Sequence, residues 1–153
     1  MEQVRPHKIP RSVLVVIHTP ALQVLMMERT SWPGFWQSVT GSLDAEDEPL
    51  RDCALREVRE ETGIDAAAHR LADWGIENEF EIFAKNRARY APGVTHNREH
   101  VFGLTVPEGT LVVNDPREHL RHEWLHWREA AERTISWSNR DAILMLPERL
   151  GVR

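Results

Sequence analysis

The stretch "PLRDCALREVREETGI", Pro49 to Ile64, limits the possible folds of this chain more than any other. Proline fixes φ near the helical value and lacks an amide hydrogen that the first turn cannot use, whereas glycine takes the left-handed conformation that closes a helix. The stretch therefore predicts a helix opened by Pro49, ending near Thr62 and capped by Gly63. On a wheel of about 100° per residue, Leu50, Cys53, Ala54, Glu57, Glu60 and Glu61 share an arc about 120° wide. Leu55, Val58 and Thr62 extend the packed side, and Glu48, Asp52, Arg56 and Arg59 fall opposite, toward water. An apolar face thus runs into three carboxylates, Glu57, Glu60 and Glu61.

Partly buried carboxylates are costly unless they are paired or bind a cation. Residues three and four apart on a helix are neighbours, so the oxygens of Glu57, Glu60 and Glu61 can converge on one point. Such hard oxygen ligands suit Mg²⁺ or Mn²⁺ rather than Zn²⁺. The competing reading is a solvated face with helical pairs such as Arg56 to Glu60.

The flanking sequence predicts an α/β protein. "SVLVVIHT" (Ser12 to Thr19) and "LQVLMME" (Leu22 to Glu28) are apolar, β-branched-rich runs that read as neighbouring strands, and "WQSVTGS" follows as a short strand ending at Gly41. "WGIENEFEIF" (Trp74 to Phe83) alternates at period two, and "EHVFGLTV" (Glu99 to Val106) resembles its partner, with "RYAPGVTHN" as the loop between them. "HEWLHW" is ambiguous, "REAAERT" reads as a short helix, and "SNRDAILMLPERL" reads as another with Ser138 as a candidate N-cap. Strands, helix, strands and helices in that order suggest a mixed sheet packed between helices.

Length and charge narrow the function. A chain of 153 residues suits one domain, expected to span 1–153. Its net charge of -5 argues against a non-specific nucleic-acid binder, and an acidic protein that handles phosphates needs a cation. The single cysteine, Cys53, allows no internal disulfide; the first ten residues contain no apolar signal core, and no stretch is long enough for a membrane span. A cytoplasmic location without membrane attachment is expected. Oligomeric state stays open, since six tryptophans can serve core, pocket or interface.

In context, "GSLDAEDEPLRDCALREVREETGI" (Gly41 to Ile64) resembles the signature of the Nudix hydrolases, which act on a diphosphate linked to another moiety. The second half of the signature is matched by Arg56, Glu57, Val58, Glu60, Glu61, Gly63 and Ile64, with seven residues separating Glu48 from Arg56. The first half departs from it: six residues rather than five separate Gly41 from Glu48, which leaves the pairing of Glu48 open. Further blocks, "FWQSVTGS", "EFEIF", "RYAPGVT", "EHL" and "SWSNR", resemble the bacterial members that act on dihydroneopterin triphosphate. The resemblance implies a Nudix-type α/β/α sandwich with a mixed β-sheet.

It also implies Mg²⁺-dependent attack of water on phosphorus, giving dihydroneopterin monophosphate and pyrophosphate. Glu57, Glu60 and Glu61 would hold metal, Glu118 would add a ligand from outside the signature and is a candidate general base, and Lys8, Arg29, Thr40 and Ser136 match positions near substrate. A pterin needs flat apolar surfaces and an acceptor for its neighbouring N–H and amino groups. Glu81, flanked by Phe80, Ile82 and Phe83, is the candidate acceptor, and Trp36 a stacking surface.

Three alternatives compete. A nucleoside triphosphate such as dATP would undergo the same chemistry. A Nudix domain that binds without turnover would more often have lost its carboxylates. "HEWLH" (His122 to His126) fits a zinc-protease pattern, which needs a helix to put both histidines on one face. Lys85, Arg87 and Arg89 alternate, so in a strand they would form one exposed cationic row or a phosphate-facing patch.

Overall fold

The computed structural model describes residues 6–151. The strands are β1 (Arg11–His18), β2 (Gln23–Arg29), β3 (Trp36–Gln37), β4 (Val39–Ser42), β5 (Arg70–Glu81), β6 (His96–Thr105) and β7 (His119–His126). The helices are α1 (Leu50–Thr62), α2 (Trp127–Arg133), α3 (Trp137–Leu144) and α4 (Leu146–Arg149). One mixed sheet runs β3-β2-β1-β6-β5, with β4 added to β1 and β7 to β2. β1 and β6 are parallel from the Arg11–Arg98 pair to the His18–Thr105 pair, and the other pairs are antiparallel.

Side chains alternate across a strand, and β1 is buried on both sides, which explains its unbroken apolar run. Val13, Val15 and Ile17 pack toward α1 with Cys53, Ala54 and Val58, whereas Leu14 and Val16 pack with Ala142, Ile143 and Leu146 on the other face. The α/β/α sandwich expected from the resemblance is therefore present. Helix α1 runs from the Pro49 cap to Gly63, whose φ of 73° is the left-handed closure glycine makes cheap. Among the described residues, no helix is long and apolar enough to cross a membrane.

β1 and β2 pair only at His18–Val24, beside their turn. They then part, β1 taking β4 as partner and β2 taking β3. The single strand expected from Trp36 is therefore two, broken at Ser38. The cause is Asn139: its Oδ1 accepts from the Ser38 amide at 2.8 Å and its Nδ2 donates to Ser38 Oγ at 3.0 Å, drawing that residue out of the ladder.

Other expectations need correcting. β5 begins at Arg70 and crosses a bulge between Asp73 and Ile76, where Gly75 has a φ of 67° and donates its amide to Asp73 Oδ1 at 2.8 Å. Residues Ala84–Arg89 form a 3₁₀ turn, so Lys85, Arg87 and Arg89 make no strand-face row. The ambiguous "HEWLHW" is strand β7 as far as His126, which rules out the helical zinc pattern. The C-terminal helix is divided at Met145, with proline in the first turn of α4. Its N-cap is Ser136, whose Oγ accepts from Asn139 N at 3.4 Å, while Ser138 lies buried inside the first turn.

Candidate active site

A cleft of about 1360 Å³ opens where β1 and β2 part. Its acidic wall is the last turns of α1. Glu61 is 1% exposed; its Oε2 has no hydrogen-bond partner among the described residues and its Oε1 lies 3.5 Å from His119 Nε2. Burial, then the charges of Glu57 and Glu118, raise the Glu61 carboxyl well above its ordinary range. Burial likewise raises Glu57, against the pull of the Arg56 guanidinium.

Arg56 does not point to water as the wheel placed it. Its Nε and Nη2 donate to the two oxygens of Glu48, each at 3.0 Å, Nη2 also reaches the Ser42 carbonyl at 3.1 Å, and Nη1 reaches Glu57 Oε1 at 2.9 Å. A wheel locates a Cβ; a long side chain carries its head group round the helix. The fork lowers the Glu48 carboxyl, whose Oε1 also accepts from the Asp44 amide at 2.9 Å. The extra residue after Gly41 is thus absorbed in the Asp44–Asp47 turn, and Glu48 anchors Arg56.

Glu60 also departs from the wheel. Its side chain is 54% exposed at the mouth of the cleft, 3.4 Å from Arg56, whereas Glu57 and Glu61 lie inside. Gly41 faces Glu57 so closely that a Cβ there would overlap the carboxylate.

The fourth carboxylate arrives on the loop before β7. Asn114 Nδ2 donates to the Glu61 carbonyl at 3.1 Å and Val113 N to the Thr62 carbonyl at 2.9 Å, docking this loop on the end of α1. The Asp115 carbonyl then accepts from the amides of Glu118 and His119, closing a turn. Glu61, Glu118 and His119 consequently bring ligand atoms within 4.8 Å of one another. Burial, then Arg29, lowers His119 to about 4, so its imidazole is neutral and free to ligate. An orphaned carboxylate oxygen, neighbouring like charges and a neutral imidazole fit a divalent cation.

A cationic group faces these acids. The Lys8 amide donates to the Arg89 carbonyl at 2.8 Å, and β2–β7 pairing sets Arg29 beside His119. Burial, then Arg89 and Arg29, lowers Lys8 to about 8. Three cations lie close together, and among the described residues none of them forms an ion pair with a carboxylate, an arrangement that suits an anion.

Thr40, Phe80, Glu81, Ile82, Phe83 and Ser136 also line the cleft. Glu81 sits at its exposed rim in an ion pair with Arg87. Trp36 does not line it: the ring is buried between the sheet and the C-terminal helices, with the Arg121 and Arg133 guanidiniums 5.8 and 5.1 Å from its centre. Trp137, which sequence reasoning missed, supplies the aromatic wall instead, edge-on to Phe80 with centroids 6.5 Å apart. His119, Asn97 and Glu99 were also missed. Only His119 carried a signal, its adjacency to Glu118.

The histidines of "HEWLH" have separate duties. His122 Nδ1 lies 2.7 Å from Asn114 Oδ1, and His126 Nδ1 accepts from the Arg128 amide at 3.3 Å to cap α2.

Comparisons with known proteins point to one family. The NUDIX domain model matches residues 8–146. The chain is 48% identical over 140 residues to the dihydroneopterin triphosphate diphosphatase of Escherichia coli K12, covering 90% of this chain and 91% of that one. It is 40% identical to the enzyme of the same name from Haemophilus influenzae, covering 90% and 87%. The solved structure of the E. coli dihydroneopterin triphosphate pyrophosphohydrolase superposes with a TM-score of 0.88 at 45% identity, covering 95% of this chain and 99% of that one. With an intact acidic helix, a docked fourth carboxylate and these relatives, the chain belongs to the Nudix family.

Proposed function

We propose that the chain hydrolyses dihydroneopterin triphosphate to dihydroneopterin monophosphate and pyrophosphate, a reaction of folate biosynthesis in the cytoplasm. The observation that carries this reading is one cleft holding buried carboxylates, a cationic cluster and an aromatic-walled recess. The relatives named for this activity match over nine-tenths of the chain, which supports the substrate.

Glu57, Glu60, Glu61 and Glu118, with the neutral His119 beside them, would hold Mg²⁺, or Mn²⁺ in its place. When bound, the ion offsets the charge of the triphosphate and makes water a stronger nucleophile. Lys8, Arg29 and Arg89 bind phosphate oxygens and orient the chain for in-line attack. Glu118, at the open edge, accepts the proton of the attacking water. The bond that breaks lies in the oxygen bridge between the α and β phosphorus atoms, and pyrophosphate leaves. Thr40 and Ser136 add hydroxyl contacts, and Phe80, Ile82 and Phe83 flank the heterocycle, with Glu81 at the rim.

A second reading, a nucleoside triphosphate pyrophosphohydrolase acting for example on dATP, draws support from the same aromatic wall, because every base has a π-face. Pyrophosphate release with Mg²⁺ from dihydroneopterin triphosphate, dATP and dGTP separates the two. The pterin is expected to lead in kcat/KM. A nucleotide leading by orders of magnitude would overturn the pterin assignment and leave the hydrolase.

A further inference from the structure

The cleft has a second polar end that the phosphate chemistry leaves unused. Asn97 and Glu99 occupy alternate positions of β6 and so share one side of the sheet. Parallel pairing sets Ser12 of β1 beside Glu99, and Ser138 of α3 lies against the same carboxyl. Asn97 is 4% and Glu99 5% exposed, and both line the cleft.

Their hydrogen bonding is incomplete in one direction only. Asn97 Nδ2 donates to Ser12 Oγ at 2.7 Å and the nearby Ser138 favours the ionised form of Glu99, but Asn97 Oδ1 and Glu99 Oε1 have no partner among the described residues. Buried acceptors without donors are disfavoured, and here two stand together at the floor of a recess walled by Phe80 and Trp137. The complement of this floor is a flat ring with neighbouring N–H donors on one edge. Burial pushes the Glu99 carboxyl up to about 7, and such donors would return it to its ionised form.

We propose that Glu99, with Asn97, selects the heterocycle by accepting the paired N–H donors of a 2-amino-4-oxopyrimidine edge, which dihydropterins and guanines share and adenines lack. The choice of a pterin as its ligand rests on the function proposed above. Adenine sets an amino donor beside an unprotonated ring nitrogen, which turns a lone pair toward a carboxylate oxygen. Glu81 is the weaker acceptor, because it is exposed and already paired with Arg87.

Two measurements test this. dGTP and dITP differ only in the 2-amino group, so a protein with Glu99 and Asn97 intact should bind dGTP at least about tenfold more tightly. Calorimetric titration in Mg²⁺ of the Glu61→Gln protein, in which turnover is suppressed, reads that ratio directly. Equal affinities would overturn the proposal. Second, glutamine offers one acceptor and one donor and so matches adenine. Glu99→Gln should therefore lower the dihydroneopterin triphosphate to dATP ratio of kcat/KM at least about tenfold, mostly through KM. An equal loss on every substrate would assign Glu99 a structural role and overturn the inference. Should Glu99→Gln not fold, the dGTP to dITP ratio decides alone. A wild-type protein inert toward the pterin that still prefers dGTP would sink the substrate while leaving Glu99 as the selector; turnover of the pterin with no such preference would do the reverse.

Discussion

Gly41 sits on β4 with its α-hydrogens against the Glu57 carboxylate, and a methyl group there would displace that carboxylate. The fold could accommodate the change, because the end of a flexible side chain has to move rather than backbone. The site could not, because a shift of about 1 Å in a positioned group costs roughly 100-fold in rate. Gly41→Ala is therefore expected to lower kcat about 10- to 100-fold, with the thermal midpoint nearly unchanged. Steady-state kinetics beside a thermal melt checks this. Arg56 carries a similar lesson about position. It is anchored by Glu48 on one side and holds Glu57 on the other, so Glu48→Gln should destabilise the fold by about 1–3 kcal/mol by breaking a charge-assisted fork. Chemical denaturation of both proteins measures the difference.

At the scale of elements, what sequence revealed was what local chemistry decides. Helix α1 could be read because Pro49, Gly63 and the apolar spacing all act within a few residues. β1, β2, β5 and β6 could be read from side-chain pattern, although the ends of β5 and β6 moved. The break at Ser38 could not be read, because the group that causes it is Asn139, far along the chain. Asn139→Ala would leave the buried Ser38 amide unpaired and should cost about 1–3 kcal/mol in a denaturant titration. The site divides in the same way. Glu57 and Glu61 were legible from the wheel, Glu118 came only from resemblance, and Trp137, Asn97 and Glu99 needed the fold to bring α3 and β6 to one recess. Trp36 was misplaced because a tryptophan near a signature looks the same whether it faces a cleft or a core.

The whole molecule carries opposing ionisations whose balance depends on metal. His18 and His119 are lowered by burial from an ordinary 6.5, so they add stability as pH rises toward that value and nothing further above it. Glu57, Glu61 and Glu99 are raised by burial from an ordinary 4.5, so their contribution is full below that value and is lost as pH rises through the folded one. Lys8, lowered to about 8, adds stability only above that pH. Between pH 6.5 and 8 the carboxylates are left in control, and the metal-free protein should lose stability as pH rises. A divalent cation binds the ionised carboxylates, so the rise in melting temperature on adding Mg²⁺ should grow across the same window. Melting curves with and without Mg²⁺ measure it; a Mg²⁺ effect independent of pH would contradict the ligand assignment.

Hydrolysis at the buried acidic cluster is tested by replacing Glu61 with glutamine and measuring pyrophosphate release from dihydroneopterin triphosphate in Mg²⁺ alongside the metal-free melt. Losing a metal ligand should lower kcat at least about 100-fold. The metal-free melting temperature should hold or rise, because a buried carboxyl whose Oε2 has no partner among the described residues has been replaced by a neutral amide. Full turnover by Glu61→Gln, with the wild-type response to Mg²⁺, would contradict hydrolysis at this cluster.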